Sequence, residues 1–551
     1  MQAIYQREYR HVARLAFSMW NREPASPSAG SFDRRYWGWK SKDFGDATMQ
    51  YAARLAIAYA DEQGLASTLP CLLENYVEHV ATLQRTDGSF DQCYPHERTP
   101  GVIYDFLSTL IDVWAGPWLT NARTRTLLEK VIQRAAAFVV STDEVHGEIA
   151  NHLAEYAFEC LYHAKHFHDP KTQAKGEAYL ERMLRNFDRE EGWFLEYDGA
   201  DPGYQTRALR YLVKCADLLN RGDLWDAAER AGEFLELALM PDGSVHPMLG
   251  CRSTALLYPS GFEALARRSS RFEPLARRVR NAWLQRLAPL PSTLDYENAI
   301  RLGDDALDAA RLCPDDAVAE PMPRPMTAEM IHRPRAGLVV YREPTRVIHV
   351  HPSLGGTVVV YGHNGQGEWR LLHEDSGYVL HDSAKIFVTR VPGSGELLEI
   401  DAGHVSVQAP FFQSLHAELT PAQLIVLRLL NLTLLRWSWT AEWFRRIVVR
   451  RLMTGRHALD MRLKRRVRLE DDCVIIEDEI VDPNRRHAAG RLLHCRRVVG
   501  THMASSRYFQ EQELQPLPIG WADVVVHDAA TTVQCVVVST PKTSSQECVA
   551  A

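Results

Sequence analysis

Asn151-His-Leu-Ala-Glu-Tyr-Ala-Phe-Glu-Cys160 opens one predicted helix, and Asp198-Gly-Ala-Asp-Pro-Gly-Tyr-Gln-Thr-Arg207 opens another further along the chain. Apolar residues recur at spacings of three and four in these and similar runs, which is the pattern of an amphipathic helix. The connections between the runs are short. Residues 1–312 are therefore predicted to form antiparallel helical hairpins.

A turn signal repeats within this helical region. Asp87-Gly-Ser, Asp198-Gly-Ala and Asp242-Gly-Ser each follow a helical run, and Asp-Gly favours tight turns because glycine accepts positive φ. The repetition predicts stacked hairpins, arranged either as a closed ring or as an open solenoid. The predicted helical runs are Ala47–Gly64, Leu72–Gln84, Val102–Trp114, Thr126–Val140, Asn151–His166, Lys171–Phe187, Tyr204–Leu219, Leu224–Leu239 and Arg271–Leu287.

The sequence pattern changes after residue 312. Residues 313–330 are acidic and rich in proline, which indicates an interdomain linker. Residues 331–540 contain many short β-branched runs bounded by turn residues, such as Gly337–Arg342 and Gly356–Tyr361, without helices between them. These runs predict antiparallel sheets packed face to face, and the polar residues 541–551 predict a loose tail.

Length, charge and cysteine spacing narrow the class of protein. A chain of 551 residues exceeds the size of one core, which favours two domains. The net charge of −7 argues against a general nucleic-acid-binding protein. The ten cysteines show no CxxC spacing, so the sequence predicts neither a zinc ribbon nor a disulfide framework, and a reducing compartment is the simpler interpretation.

Neither a secretory signal nor a membrane span is recognisable. The N-terminal residues lack the basic-then-apolar order of a signal, and the best candidate span, Gly101–Leu119, is interrupted by Asp105, Asp112 and Pro117. We therefore expect a cytoplasmic protein without a membrane partner, or a periplasmic one if a signal was removed. The oligomeric state is not predicted.

Four polar residues at two predicted helix starts are candidates for chemistry. Asn151 favours an N-cap position and His152 can be structural, but a helix N-terminus also favours anions, and these two groups could hold a carboxylate there. Tyr204 and Arg207 can share one helix face. A phenol whose pKa is lowered by His152 and Arg207 could accept and donate a proton, although Tyr204 could also simply pack on a neighbouring hairpin.

Aromatic and cationic residues elsewhere suit an acidic sugar chain. Trp37 and Trp39 lie beside Lys40, and rings stack on sugar faces while cations bind carboxylates. The same rings could instead pack the N-terminal segment onto the helical domain. Arg98 and Arg252 each follow an Asp-Gly turn on what should be one rim, and we take both as candidate anion contacts.

Histidines concentrate in the β region. His363, His373, Asp375 and His381 are residue types that can bind zinc from sandwich strands, but they match no classical metal motif and are commonly solvated. We assign no metal ligands. The basic stretch Arg445–Arg468 indicates the solvated face of strands, or less often a polyanion track.

With these residues in view, the chain resembles the heparinase II/III-like polysaccharide lyases, which include alginate and heparin lyases. The resemblance covers most of the length. The resemblance rests on Asn151-His152, Tyr204, the Asp-Gly turns and Arg491-Leu-Leu-His494. It implies an α+β multidomain fold: an N-terminal α/α toroid of helical hairpins with a substrate cleft, followed by a C-terminal antiparallel β-sandwich.

The resemblance also implies residue roles. In that family an Asn or His neutralises the uronate carboxylate, a Tyr acts as acid or base, and a sandwich His assists. Carried over, Asn151 and His152 would neutralise, Tyr204 would transfer the proton and His363 would assist. The family's His-x-His-x-Asp is replaced here by Gly362-His-Asn-Gly365. We expect no cofactor, with a structural zinc in the sandwich as the alternative. The substrate-binding candidates are Trp37, Trp39, Arg98, Arg207 and Arg252.

The activity implied is β-elimination on an acidic polysaccharide or oligosaccharide that contains uronic acid. Arg207 or Arg252 would help to stabilise the enolate-like intermediate. One alternative is a glycoside hydrolase on a helical toroid, which needs two opposed carboxylates. Another is a non-catalytic carbohydrate-binding or polysaccharide-assembly protein. The carboxylate candidates for hydrolysis are Asp87, Asp198, Asp201 and Asp242.

Overall fold

The computed structural model describes most of the chain. The described residues are 2–33, 47–92, 94–143, 148–323, 325, 327–364, 368–383, 385–401, 403–414, 420–437, 439–441, 443–444, 457–484, 490–497, 501–502, 506–507, 522–525 and 531–539. Trp37, Trp39 and the predicted tail, 541–551, lie outside them.

The N-terminal part is helical. A short 3-10 turn, Thr48–Ala52, leads into the second helix. The helices are α1 (Gln2–Met19), α2 (Ala53–Glu62), α3 (Leu69–Leu83), α4 (Pro100–Ala115), α5 (Ala122–Ser141), α6 (Ala150–Phe167), α7 (Pro170–Arg185), α8 (Pro202–Leu219), α9 (Gly222–Ala238), α10 (Ser260–Arg268), α11 (Glu273–Leu284) and α12 (Tyr296–Leu312).

The even-numbered helices form a closed ring. Helix α2 packs on α4, α4 on α6, α6 on α8, α8 on α10 and α10 on α12, and α12 returns to pack on α2 and α1. The domain is thus a toroid, as predicted, and of the two arrangements left open by the repeats it is the ring. Each even helix is followed by one returning helix, so the even helices run in parallel and begin at one rim.

Local sequence fixes where these helices begin. The Thr99 side chain accepts a hydrogen bond from the backbone N–H of Gly101 at the start of α4, and Asp201 accepts one from Tyr204 at the start of α8. Proline occupies the first position of both helices, where its fixed φ suits the helix and its missing N–H costs nothing. The Thr-Pro-Gly and Asp-Pro-Gly stretches therefore set the rim from which side chains enter the ring.

The C-terminal part consists of antiparallel strands that begin after α12 ends at Leu312. The strands are β1 (Phe187–Asp188) and β2 (Trp193–Phe194) in the toroid, then β3 (Glu329–Arg333), β4 (Leu338–Glu343), β5 (Arg346–His351), β6 (Thr357–His363), β7 (Trp369–Asp375), β8 (Gly377–Asp382), β9 (Lys385–Val388), β10 (Glu396–Ile400), β11 (His404–Gln413), β12 (Ala458–Leu469), β13 (Cys473–Val481), β14 (Arg491–Cys495), β15 (Thr501–His502), β16 (Ser506–Arg507), β17 (Ala522–Val525) and β18 (Thr531–Ser539). One sheet of the sandwich has the strand order β3-β4-β5-β6-β7. The other sheet has the order β17-β14-β8-β9-β11-β12-β13-β18, and β10 also pairs with β11.

The five-stranded sheet is buried on both faces. Val339 and Val358 pack against Val407 and Val467 of the other sheet, which makes the predicted sandwich. The opposite face, with Val340, Val359 and Trp369 among its residues, packs on Met248 and Leu249 of the toroid. Burial on both faces explains why β6 is apolar without alternation from Val358 to Tyr361.

A helix interrupts the sandwich where the sequence pattern predicted strands alone. Helix α13 (Pro421–Leu432) lies between β11 and β12, and Thr420 and Gln423 form a capping box at its start. The expectation of strands without helices between them is wrong at this point. Among the described residues, no helix combines the length and the apolar character needed to cross a membrane.

Candidate active site

Among the described residues of the toroid, the left-handed backbone conformations that do not end a helix lie at one rim. His96 and Arg98 precede α4, Tyr197 precedes α8 and Ser253 precedes α10, and all four have positive φ, at 67°, 52°, 58° and 55°. Such conformations cost about 1–3 kcal/mol each in non-glycine residues and persist where the surroundings impose them, often at functional sites. The rim at which the even-numbered helices begin is therefore the candidate site.

Tyr204 lies in the first turn of α8 beneath a cation. The guanidinium carbon of Arg252 is 5.1 Å from the centre of the Tyr204 ring and 4.4 Å from that of Tyr197. Arg252 is only partly buried, and its backbone N–H donates to Asp201, the residue that caps α8. The arrangement holds a guanidinium group against two phenol rings at the rim.

The pKa of Tyr204 is shifted in the direction opposite to the sequence prediction. Burial raises this pKa, and the fields of Arg252 and Arg207 offset only part of the increase. Tyr204 is 5% exposed, so the loss of water around the phenolate outweighs the nearby cations. The hydroxyl therefore keeps its proton at neutral pH.

Asn151 is fully buried and engaged with a carboxylate. Helix α6 is capped by Ile149, so the N-cap interpretation of Asn151 is wrong. Its side-chain amide donates to both carboxylate oxygens of Glu196 at 3.0 Å, and its backbone N–H donates to one of them at 2.8 Å. Burial raises the pKa of Glu196 to about 7 despite these bonds.

Arg207 lies one turn below Tyr204, within a charged layer. Its guanidinium donates to the Glu155 carboxylate at 2.6 Å and approaches the side-chain Oδ1 of Asn151 at 3.5 Å. Asp105 accepts a 2.6 Å hydrogen bond from Arg301 and lies 3.8 Å from Arg207. Burial raises the pKa of Asp105 to about 7. These side chains form the floor of the site and bring Asn151 and Arg207 into one contact network.

His152 and Tyr258 complete the group near the rim. His152 is half-buried, and its Nδ1 lies 3.4 Å from the hydroxyl of Tyr156. The buried hydroxyl of Tyr258 has no hydrogen-bond partner among the described residues, and burial raises its pKa to about 12. Sequence analysis missed Tyr258, Tyr197 and Glu196. Proximity to the Asp198-Gly turn could have drawn attention to the last two, whereas nothing in the sequence singles out Tyr258.

His363 does not lie with Tyr204, Arg252 and the other residues of this rim. Its ring packs edge-on against Trp369, 5.0 Å between ring centres, and it lies at the far end of β6 from Thr357. Thr357 pairs with His351, whose end of the sheet approaches Arg390. Six residues of strand separate the two ends by about 20 Å.

Arg390 is the sandwich residue that meets the rim. Its guanidinium donates to the carbonyl of Gly250 at 2.7 Å and to the Ser253 hydroxyl at 2.8 Å. Burial lowers the pKa of Arg390 to about 10. The loop that carries Arg252 is thus held from the sandwich by an arginine and not by a histidine. Nothing in the sequence indicates this contact, because Arg390 matches no motif.

Arg98 contacts a different part of the sandwich. Its Nη2 donates to the backbone carbonyl of Arg436, just after α13, at 2.7 Å, and its Nε lies 3.2 Å from Asp87. The structure therefore places Arg98 at the same rim as Tyr204, but in contact with the segment that follows α13. Its predicted role in anion binding stays a prediction.

Three of the four carboxylates considered for hydrolysis hold turns. Asp87 accepts from the Ser89 N–H and hydroxyl, and Asp242 does the same for Ser244. Asp201 accepts from the backbone N–H groups of Tyr204 and Arg252. These hydrogen bonds commit the three carboxylates to the structure of turns, which disfavours glycoside hydrolysis by this set.

The buried histidine and carboxylates of the sandwich do not fit a zinc ion. Ligand atoms of Asp375, Asp478 and His494 lie within 4.8 Å of one another. However, the guanidinium of Arg465 donates to Asp375 at 2.9 Å and to Asp478 at 2.6 Å, and all four side chains are buried. A metal would have to share this space with a fixed cation, so Arg465 already supplies the charge that the carboxylates need.

A cavity of about 340 Å³ lies at the other end of the ring. Charged side chains that line the cavity form ion pairs with each other. The Asp308 carboxylate accepts from Arg54 at 2.7 Å, from Arg210 at 3.0 Å and from Lys214 at 2.6 Å. The charged layer below Tyr204 separates this cavity from the rim. Because its charges are already paired, we treat it as part of the packing of the toroid.

No protein-family model matches the sequence, and no curated protein matches it either. Among solved structures, the chain is similar to a chondroitin AC lyase of Streptomyces coelicolor A3, with 11% identity over 91% of this chain and 69% of that one and a TM-score of 0.49. It is similar to a heparinase III at 12% identity, covering 92% and 77%, with a TM-score of 0.47. A heparan sulfate lyase of Pedobacter heparinus gives 10% identity, 97% and 83% coverage and a TM-score of 0.42. Identity this low leaves the roles of individual residues to the geometry of the site itself.

Proposed function

We propose that this chain is a polysaccharide lyase that cleaves uronate-containing glycans by β-elimination, with Tyr204 as a proton-transfer group. The observation that carries the proposal is the placement of Tyr204 beneath the partly exposed guanidinium of Arg252, 5.1 Å from the ring centre, at the rim where α6 and α8 begin. Cation and phenol are then side by side where a carboxylated sugar would bind.

The first requirement of β-elimination is an offset for the substrate carboxylate. The proton at C5 of a uronate is too weakly acidic to leave while the carboxylate keeps its full charge. Arg252 supplies a cation, and the start of α6, with His152 on it, supplies a helix N-terminus that favours anions. These groups would stabilise the enolate-like dianion that forms as the proton leaves.

The two candidate groups take opposite roles in the proton transfers. Because burial raises the pKa of Tyr204, its phenol is protonated and suited to donate to the departing O4 oxygen. His152 is the group we propose to remove the C5 proton, since it is half-buried at the rim in the first turn of α6 and histidine is the side chain that most often serves as a general base. The C4–O4 bond then breaks, and the product carries a C4–C5 double bond.

Asn151 acts through Glu196 in this proposal. Its amide hydrogens are both directed at the Glu196 carboxylate, so Asn151 positions that group instead of contacting the sugar. With a pKa of about 7, Glu196 keeps a large share of its proton near neutral pH. A neutral Glu196 adds no repulsion to an incoming uronate, whereas an ionised one would.

Replacement of Tyr204 by phenylalanine tests the proposal. Tyr204→Phe should lower kcat on uronate polymers by about 10²–10⁴-fold while binding is retained, because only the proton donor is lost. Turnover is followed by the ultraviolet absorbance of the unsaturated product on chondroitin, heparan sulfate and alginate. Tyr162→Phe is the control, since Tyr162 belongs to the same helical ring but its hydroxyl donates to Asp112 at 2.6 Å, at the other end of that ring. Equal activity of Tyr204→Phe and wild type would refute the assignment.

A non-catalytic glycan-binding protein is the second candidate. It is favoured by the low exposure of Tyr204, 5%, and by the position of His363 outside the group. Retained binding of acidic glycans without an unsaturated product from any of them would establish this function and exclude the lyase.

The predicted reducing compartment is supported by the cysteines. Every cysteine among the described residues is unpaired, and several are buried in the toroid core, where a thiol acts as a small apolar side chain. We retain the cytoplasm as the proposed location.

A further inference from the structure

Residues 414–457 connect two strands that are direct neighbours in one sheet. Strands β11 and β12 pair in antiparallel fashion, and such pairs need only a short turn. Here the connection instead carries α13 and a segment rich in tryptophan. We call the described residues between 420 and 444 the α13 arm. Leu435 and Ala441 are buried and anchor the arm to the rest of the protein.

The α13 arm exposes large apolar side chains along most of its length. Ile425 is 62% exposed, Trp437 57% and Trp439 72%. Single exposed apolar residues are ordinary, but a contiguous set marks an interaction surface. The other large apolar residues exposed on the arm are Leu424, Val426, Leu429, Leu432, Leu434 and Trp443.

Helix α13 has the apolar composition of a buried helix, but most of its side chains are exposed to solvent. Leucine, isoleucine and valine occur around its whole circumference, and Asn431 is its one buried residue. Helices that are apolar on every side are normally enclosed by protein or by lipid. At twelve residues α13 is about 18 Å long, too short to cross a hydrocarbon core of about 30 Å.

The charge of this region indicates which kind of partner covers the exposed apolar surface of the α13 arm. Residues 420–456 contain seven arginines and one glutamate, in a chain whose net charge is −7. Arg428 and Arg436 belong to the arm itself. A second copy docked through a two-fold axis would bring these arginines towards their own counterparts. The three tryptophans of the arm suit stacking on sugars, but its more numerous exposed leucine, isoleucine and valine side chains offer no ring for a sugar. Anionic lipid headgroups above acyl chains complement both the arginines and the apolar side chains.

We propose that the α13 arm binds the interface of an anionic lipid bilayer, with α13 lying in the membrane plane. Trp437, Trp439 and Trp443 would lie at headgroup depth, where tryptophan is enriched because its ring is apolar and its N–H is polar. The sequence predicts no membrane partner because no segment could span a bilayer, but an interfacial helix needs no span. The contact between Arg98 and Arg436 would then hold the toroid rim close to the lipid.

Cosedimentation with phosphatidylglycerol-containing vesicles and with pure phosphatidylcholine vesicles tests the proposal on the full chain. The variant Ile425→Ser/Trp437→Ser/Trp439→Ser removes exposed side chains only, and it should bind both kinds of vesicle at least about tenfold more weakly than wild type. Leu398→Ser/Val533→Ser/Val537→Ser is the matched control, because these residues are similarly exposed elsewhere in the sandwich. It should bind like wild type.

A second variant separates charge from apolar contact. Arg428→Gln/Arg436→Gln should weaken binding to the anionic vesicles by about fivefold for each arginine and leave binding to phosphatidylcholine unchanged. Absence of vesicle binding by wild type, or equal binding by the triple arm variant, would overturn the proposal. A wild-type dimer that the arm variant converts to monomer, without vesicle binding, would identify a second copy as the occupant instead. Binding to acidic glycan beads but not to vesicles would assign the arm to the substrate.

Discussion

Asn151 holds Glu196 at three points, through its backbone N–H at 2.8 Å and through its side-chain amide to each carboxylate oxygen at 3.0 Å. The pair joins the first turn of α6 to the loop before α8. It also fixes a carboxyl group with a pKa raised by burial to about 7 near Arg252, whose field acts on it. The charge of the rim therefore depends on pH in the neutral range.

Replacement of Glu196 by glutamine tests this dependence. A raised carboxyl pKa means that Glu196 is neutral below about pH 7 and negative above it, so kcat/KM on an acidic glycan should fall as pH rises through 7. Glu196→Gln stays neutral and should lose this descending limb. The measurement is the pH profile of kcat/KM for both proteins. An identical limb in the variant would assign it to another group.

Arg252 should matter for binding and for chemistry. Arg252→Met removes the cation above Tyr204, so we expect KM to rise and kcat to fall, with kcat/KM lower by about 10²-fold or more because charge stabilisation in the transition state is lost. Initial rates on the best glycan provide both constants. Arg268→Met is the control, since Arg268 stacks on Trp225 at 4.6 Å on the outside of the toroid. A similar loss in both variants would point to general destabilisation.

The buried His349 makes stability depend on pH. Burial lowers its pKa to about 3, although Nε2 lies 3.0 Å from the Leu237 carbonyl oxygen. An unfolded imidazole takes up a proton below about pH 6.5 and the folded one does not, so this residue costs stability as pH falls below that value. His349→Gln should remove the cost. The free energy of unfolding of the variant relative to wild type should shift by about 1.4 kcal/mol in its favour between pH 7.5 and pH 5.5. No shift would show that His349 titrates normally.

The architecture was predictable because its signals are local. The helical spacing, the Asp-Pro-Gly start of α8 and the β-branched runs each act within a few residues, and they predict the helical hairpins and the strands of the sandwich. Closure of the ring depends on contact between α12 and α2, which residue patterns do not contain. Local signals therefore left ring and solenoid as equal alternatives.

The site was only partly predictable because its geometry depends on distant contacts. The sequence suggests either a helix cap or a substrate-carboxylate contact for Asn151, but the Glu196 carboxylate that engages it lies in a separate loop. Nearby cations predicted a lowered pKa for Tyr204, whereas burial raises it, and burial is a property of the whole fold. His363 was carried over from a family motif, and the residue that meets the rim from the sandwich is Arg390.

The sandwich core should be stabilised by Arg465 and not by a metal. Although burial alone would raise the pKa of Asp375, the charge of Arg465 and the hydrogen bond from His494 Nε2, at 2.8 Å, hold it well below its ordinary value. Arg465→Gln leaves buried carboxylates without their cation, so the free energy of unfolding should fall by about 3–5 kcal/mol, measured by denaturant titration.

The neighbouring arginine on β12 provides the control. Arg468→Gln removes a partly exposed arginine that lies 3.2 Å from Glu477 across the strands, and such a pair contributes about 0–1 kcal/mol. Treatment of wild type with a zinc chelator should leave its unfolding curve unchanged, because the guanidinium already balances Asp375 and Asp478. Chelator-induced destabilisation of wild type, or an Arg465→Gln variant as stable as Arg468→Gln, would show that the carboxylates are held by something other than Arg465.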